Sequence, residues 1–110
     1  MSTTVIQIFP AGQVPNSSTT IYTSTGVKTI IDKVSLLNTS GSNVTFSANI
    51  VEISESAGAD NQLVSKTLTP GQVYSCPELV GQILVNGSFI NVTAGAATSL
   101  TLMISGRVIS

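Results

Sequence analysis

Histidine and tryptophan do not occur in this 110-residue sequence, cysteine occurs once, and charged side chains make up 8% of it. Each scarcity removes a class of chemistry. Without histidine a Cys–His pair is impossible, and any acid–base work falls to carboxylates. The lone Cys76 cannot close an internal disulfide, which excludes a disulfide-stapled secreted module. Four basic residues, Lys28, Lys33, Lys66 and Arg107, spread along a chain of net charge −1, cannot neutralise a run of phosphates. Direct nucleic-acid binding is therefore not expected. No stretch approaches the roughly 18 apolar residues of a membrane span. The opening Met1-Ser2-Thr3-Thr4-Val5-Ile6-Gln7 has neither a basic region nor a continuous apolar one. Synthesis in the cytoplasm, with no membrane partner, is the expectation.

What is present is apolar and hydroxylated. The apolar fraction of 42% is enough for a hydrophobic core, and the length suits one domain. With charge so far below the roughly 25% of an average soluble domain, the surface must be largely Ser, Thr, Asn, Gln and Gly. Such groups desolvate at lower cost than ions, which suits burial against partners; a neutral, Ser/Thr-coated β protein has the same composition.

The periodicity is that of strands. Leu100, Leu102, Ile104 and Val108 fall on one face of an extended chain, with Thr101, Ser105 and Arg107 opposite. Val44, Phe46, Ala48 and Ile50 alternate in the same way before the phase slips to Val51 and Ile53, which predicts a bulge or bend near residues 50–51. Residues 27–38 are β-rich, and Asn38-Thr39-Ser40-Gly41-Ser42-Asn43 predicts a hairpin joining them to the Val44 strand. Residues 63–68 and 72–76 flank Thr69-Pro70-Gly71, which reads as a type II turn within a strand pair. Residues 88–94 are a further strand, and Pro77 with Glu78 is compatible with one short helical turn. Seven or eight short strands and no amphipathic helix predict an all-β, two-sheet β-sandwich of jelly-roll or immunoglobulin-like connectivity. Residues 1–26, interrupted by Pro10, Gly12, Pro15 and Asn16, read as an N-terminal arm or edge strand on a body spanning 27–110.

No constellation for catalysis emerges. The carboxylates are Asp32, Glu52, Glu55, Asp60 and Glu78, and Glu52 and Glu55 face opposite sides of an extended chain. Cys76 between apolar strands reads as a small core residue. Asp60-Asn61 lacks the alternating acidic spacing of a calcium loop, and Gly95-Ala96-Ala97 is too short for a phosphate loop. Phe9, Tyr22, Phe46, Tyr74 and Phe89 form no stacking ladder. The five Asn-x-Ser/Thr sequons read as by-products of composition. The chain is expected to be no enzyme and to hold no cofactor or metal.

Two blocks, Thr29-Ile30-Ile31-Asp32-Lys33-Val34-Ser35-Leu36-Leu37-Asn38-Thr39-Ser40-Gly41 and residues 68–81 continuing to 99–107, resemble the small jelly-roll capsid decoration (cement) proteins of short-tailed bacteriophages of the epsilon-fifteen kind. The resemblance covers roughly residues 27–110 and rests on strand–turn texture. It implies a structural virion protein that binds the outside of the capsid, made of major capsid protein, and stabilises contacts between its subunits, with several copies associated on the surface. A tail or neck β-sandwich module, with a glycan as its candidate ligand, is the alternative. If residues 1–26 are an arm, Val5, Ile6, Ile8, Phe9, Val14, Ile21 and Tyr22 are the candidate partner contacts.

Overall fold

The computed structural model describes residues 2–110. The strands are β1 (Thr3–Gln13), β2 (Thr19–Thr23), β3 (Lys28–Asn38), β4 (Val44–Val51), β5 (Gln62–Leu68), β6 (Val73–Tyr74), β7 (Ile83–Leu84), β8 (Phe89–Ala94) and β9 (Leu100–Ile109). They form two packed sheets. The front sheet has the order β1-β9-β3-β6, with β7 also on β3, and the back sheet has the order β2-β8-β4-β5; all pairings are antiparallel. Only β4–β5 and β6–β7 stay in one sheet, and every other connection crosses the sandwich. That order is a jelly roll, whereas immunoglobulin-like domains keep more successive strands paired.

The alternation explains which side of each strand is buried. Along β9, Leu100, Leu102 and Ile104 are buried; along β3, Ile31, Val34 and Leu36 are. The back sheet supplies Phe46, Leu68 and Ile90 to the same core. β-bulges shift the phase where it breaks. One lies between Ile31 and Lys33, and another falls between Ala48 and Asn49 against β5, slightly earlier than the phase slip predicts.

Both predicted strand pairs across turns are corrected. β3 and β4 lie in different sheets, as do β5 and β6. The crossings are held by Asn38, which is fully buried. Its Nδ2 donates to the Ser42 and Leu68 carbonyls at 2.8 and 2.9 Å, and its Oδ1 accepts from the Ser40 amide at 2.9 Å. Its backbone exchanges bonds with Gln72 and Gly71. The turn after β5 is closed by the Gln72 amide on the Thr69 carbonyl at 3.0 Å, with Gly71 at φ 76°, as a type II turn requires. Residues 77–82 form consecutive turns rather than a helix, and they drop Leu79 into the core between β6 and β7.

The N-terminal residues are built into both sheets. β1 pairs with β9 along its length and β2 with β8. No separation of 1–26 from 27–110 exists, since Ile8 and Val14 are 4% and 1% exposed within the shared core.

Two expected outcomes follow from this packing. A Cβ at Gly106, where β1, β9 and β3 lie side by side, would stand 2.1 Å from the Ile30 carbonyl oxygen and 2.7 Å from Ile8 Cδ1. Gly106→Ala should therefore cost about 3 kcal/mol and lower the melting temperature by roughly 10 °C or more, while Gly41→Ala, in open space, should melt like the wild type. Deleting residues 1–26 removes two core side chains and uncovers β9 and β8, so the remainder should lose cooperative melting by circular dichroism.

Candidate partner interface

The two outer faces of the sandwich differ in chemistry. On the back sheet, Thr45 and Thr67 share a hydrogen bond at 3.0 Å, Ser47 lies opposite Ser65 and Thr93, and Asn49 donates to Asn61 at 2.7 Å. This face is largely hydroxylated and uncharged, although Leu63 of β5 is also exposed on this sheet.

The front sheet carries apolar side chains where its strands' alternation calls for polar ones. β-pairing sets Val5, Arg107, Ile30 and Ile83 in one row across four strands, and Gln13, Thr101, Leu37 and Val73 in another. Met103 stands between them opposite Ser35. Val5, Val73 and Ile83 are 79%, 69% and 56% exposed, and Leu37 and Met103 are also open to solvent. These apolar side chains stand in two rows separated along β3 by residues 31–36, and they make this face the candidate interaction surface.

Its charges are few, and two of them form an ion pair. Arg107 donates to both Asp32 oxygens, with Nε at 3.0 Å from Oδ2, and this carboxylate raises the guanidinium pKa. Lys28 and Lys33 are exposed on the same sheet. Three of the five acidic residues, Glu52, Glu55 and Asp60, lie in the β4–β5 loop instead.

The seven residues singled out in the sequence divide sharply. Only Val5 presents its side chain fully to solvent. Ile8 and Val14 are core residues and cannot touch a partner in the folded chain, because β1 and the residue that follows it, held by the Val14 amide on the Leu100 carbonyl, turn them inward. Ile6, Phe9, Ile21 and Tyr22 are half-buried against that core, with Tyr22 Oη bonded to Thr29 Oγ1 at 2.9 Å. Ile30, Leu37, Val73, Ile83 and Met103 were the residues the arm reading missed. Their signal was an apolar residue at an outward phase: Leu37 beside Leu36, Ile30 beside Ile31, Met103 between Leu102 and Ile104.

Polar side chains elsewhere form structural bonds. Ser88 Oγ donates to Glu52, and Tyr74 Oη donates to Glu78 at 2.7 Å while Lys66 Nζ sits 5.3 Å from the Tyr74 ring centre. That last pair bridges the edges of the two sheets. An open recess of about 320 Å³ lies where β3 begins and β9 ends, lined by Gly26, Val27, Lys28, Asn86, Ile109 and Ser110. It contains one cationic side chain and no carboxylate side chain. Among the described residues, no three of the side chains Cys, Asp and Glu converge. No family model matches the chain, and neither a curated protein nor a solved structure matches it.

Burial, and next the Glu78 carboxylate, push the Cys76 thiol from 9.0 up to about 12. The hydrogen bond to Glu78, followed by partial burial, pushes the Tyr74 hydroxyl from 10.0 up to about 12. Both shifts favour the protonated form in the fold. The stability they contribute is complete below pH 9 and is lost as pH rises from 9 towards 12. Chemical denaturation across that range should show the decline, and Cys76→Ala should flatten it. In the native protein at pH 8 the thiol should resist a disulfide reagent that labels it at once in denaturant.

Proposed function

We propose that this chain is a non-enzymatic structural protein of a phage particle, a decoration subunit that binds the outside of the assembled capsid and holds neighbouring major capsid protein subunits together. The observation that carries the proposal is the outer face of the front sheet, with Val5, Leu37, Val73, Ile83 and Met103 exposed, half-buried Ile30 among them, and one matched ion pair. Apolar groups on rigid strands can be buried against a partner with little loss of side-chain freedom, and neutral Ser and Thr around them desolvate cheaply. The back face, with its Ser/Thr/Asn surface, suits solvent.

A subunit that binds the intact lattice better than free capsid subunits shifts the equilibrium towards the shell. Many weak copies suffice. The resemblance of residues 27–110 to jelly-roll decoration proteins supports the same role. A glycan-binding tail or neck module has less support, because all five aromatic rings are half-buried or buried.

The test is co-sedimentation with shells of the parent phage that lack this chain. The wild type should saturate the shells at hundreds of copies, and Leu37→Glu with Val73→Glu should weaken binding by about tenfold or more without lowering the melting temperature. Ser47→Glu with Ser65→Glu, on the back face, should leave binding intact. No sedimentation of the wild type, or unchanged binding by the front-face variant, would overturn the proposal; labelling confined to tails would favour the tail module.

A further inference from the structure

The free edge of β1 differs from the other three edges of the sandwich. The β6–β7 edge is interrupted by residues 75–82, which turn Cys76 and Leu79 inward. The β5 edge has a bulge opposite the Ala48–Asn49 step and carries Lys66. β2 is five residues long and bulged between Thr20 and Tyr22. Interruptions, bulges, charge and short length are the devices by which sheet edges avoid pairing with other chains. β1 has its own, two register shifts and Pro10, but all lie beyond Gln7. Thr3 to Gln7 keeps an unbroken register with β9, is free of proline and is uncharged.

The direction of its backbone groups can be read from the ladder. Ser2 and Ser110 exchange both N–H···O bonds, at 3.2 and 3.0 Å. In an antiparallel pair such residues alternate with residues whose amides and carbonyls point away from the partner strand. Thr4 and Ile6 therefore bond to β9. Thr3, Val5 and Gln7 aim their N–H and C=O groups outward, where no backbone group of the described residues meets them.

We infer that this edge pairs with the same edge of a second copy of the chain, antiparallel about a two-fold axis at Val5. That register uses the whole segment: Val5 lies opposite Val5 of the second copy, and each Thr3 opposite the other's Gln7. All three positions are uncharged, so the pairing brings no like charges together at the edge. Arg107, one strand behind, is already matched by Asp32. The two front sheets become one continuous sheet, and the row Val5, Arg107, Ile30 and Ile83 is doubled across the axis. This self-pairing is a property of the isolated chain and stands or falls independently of shell binding.

The geometry supplies selective variants. Val5→Pro removes an amide that β9 does not use, so it should leave the fold intact while deleting a bond to the second copy. Val5→Lys places two cations face to face on the axis. Sedimentation velocity over a concentration series up to about 500 μM should show the wild type dimerising and both variants remaining monomeric, weakened by about tenfold or more, with unchanged melting curves. Residues bonded across antiparallel strands have Cα atoms about 5.5 Å apart, within disulfide range. Val5→Cys should therefore oxidise to a covalent dimer, and Thr4→Cys, on the opposite face, should not; Cys76 is buried and does not compete. A wild type that stays monomeric throughout, a Val5→Lys variant that dimerises as the wild type does, or Thr4→Cys cross-linking as readily as Val5→Cys would overturn the inference. If Val5→Pro fails to fold, Val5→Lys and the cysteine pair still decide.

Discussion

The last strand of the chain lies between the first and the third, and the front sheet depends on that insertion. β9 uses both of its edges, pairing with β1 on one side and β3 on the other. At Gly106 the backbones of β9 and β3 come so close that a Cβ would meet the Ile30 carbonyl, with the Ile8 side chain of β1 pressed against the same point. Any side chain there would push β3 away and open the core beneath Ile31 and Val34. Most strand pairings are consequently long-range, because β9 joins residues near both ends of the chain. Loop-closure entropy must be met before those pairings repay it, so this topology belongs with slow-folding β proteins.

The same insertion decides what the first residues do. Once β9 is in place, it offers an edge to β1, and β1 and the residue that follows it deliver Ile8 and Val14 to the core. β1 then becomes the boundary of the sheet, and its own outer edge is what remains open. Stability and association thus use opposite sides of one strand. Thr4 and Ile6 serve the fold with their backbone groups, while those of Thr3, Val5 and Gln7 point away from β9 and meet no backbone group among the described residues.

The surface follows a parallel division between sheets. A chain with so few charges has little electrostatic means of choosing orientation, so the distribution of apolar groups matters more. The front face collects Val5, Leu37, Val73, Ile83 and Met103, whereas the back face carries mainly Thr, Ser and Asn side chains, with hydrogen bonds between Thr45 and Thr67 and between Asn49 and Asn61. Such two-faced character is what a subunit needs to lie on a larger assembly with one side and meet water with the other.

Strand character came from local pattern. The alternation of Leu100, Leu102 and Ile104, or of Val44, Phe46 and Ala48, depends only on the two-residue period of an extended chain, and composition alone ruled out disulfides and a histidine base. Which strands pair was not local. Asn38 to Asn43 and Thr69 to Gln72 are turn sequences whether the next strand lies alongside or crosses to the opposite sheet, and the choice rests on bonds from buried Asn38 to Leu68 and on amides thirty or more residues away. Ile8 and Val14 fell in a segment that read as an arm or an edge strand, because Pro10, Gly12 and Pro15 interrupt the pattern around them; β9, about ninety residues later, makes β1 an edge strand and these two residues core. The outward Leu37, Val73 and Ile83 were visible individually, but they became a surface only when three separate strands were laid side by side, since a patch is a property of neighbours in space and a sequence records only neighbours along the chain.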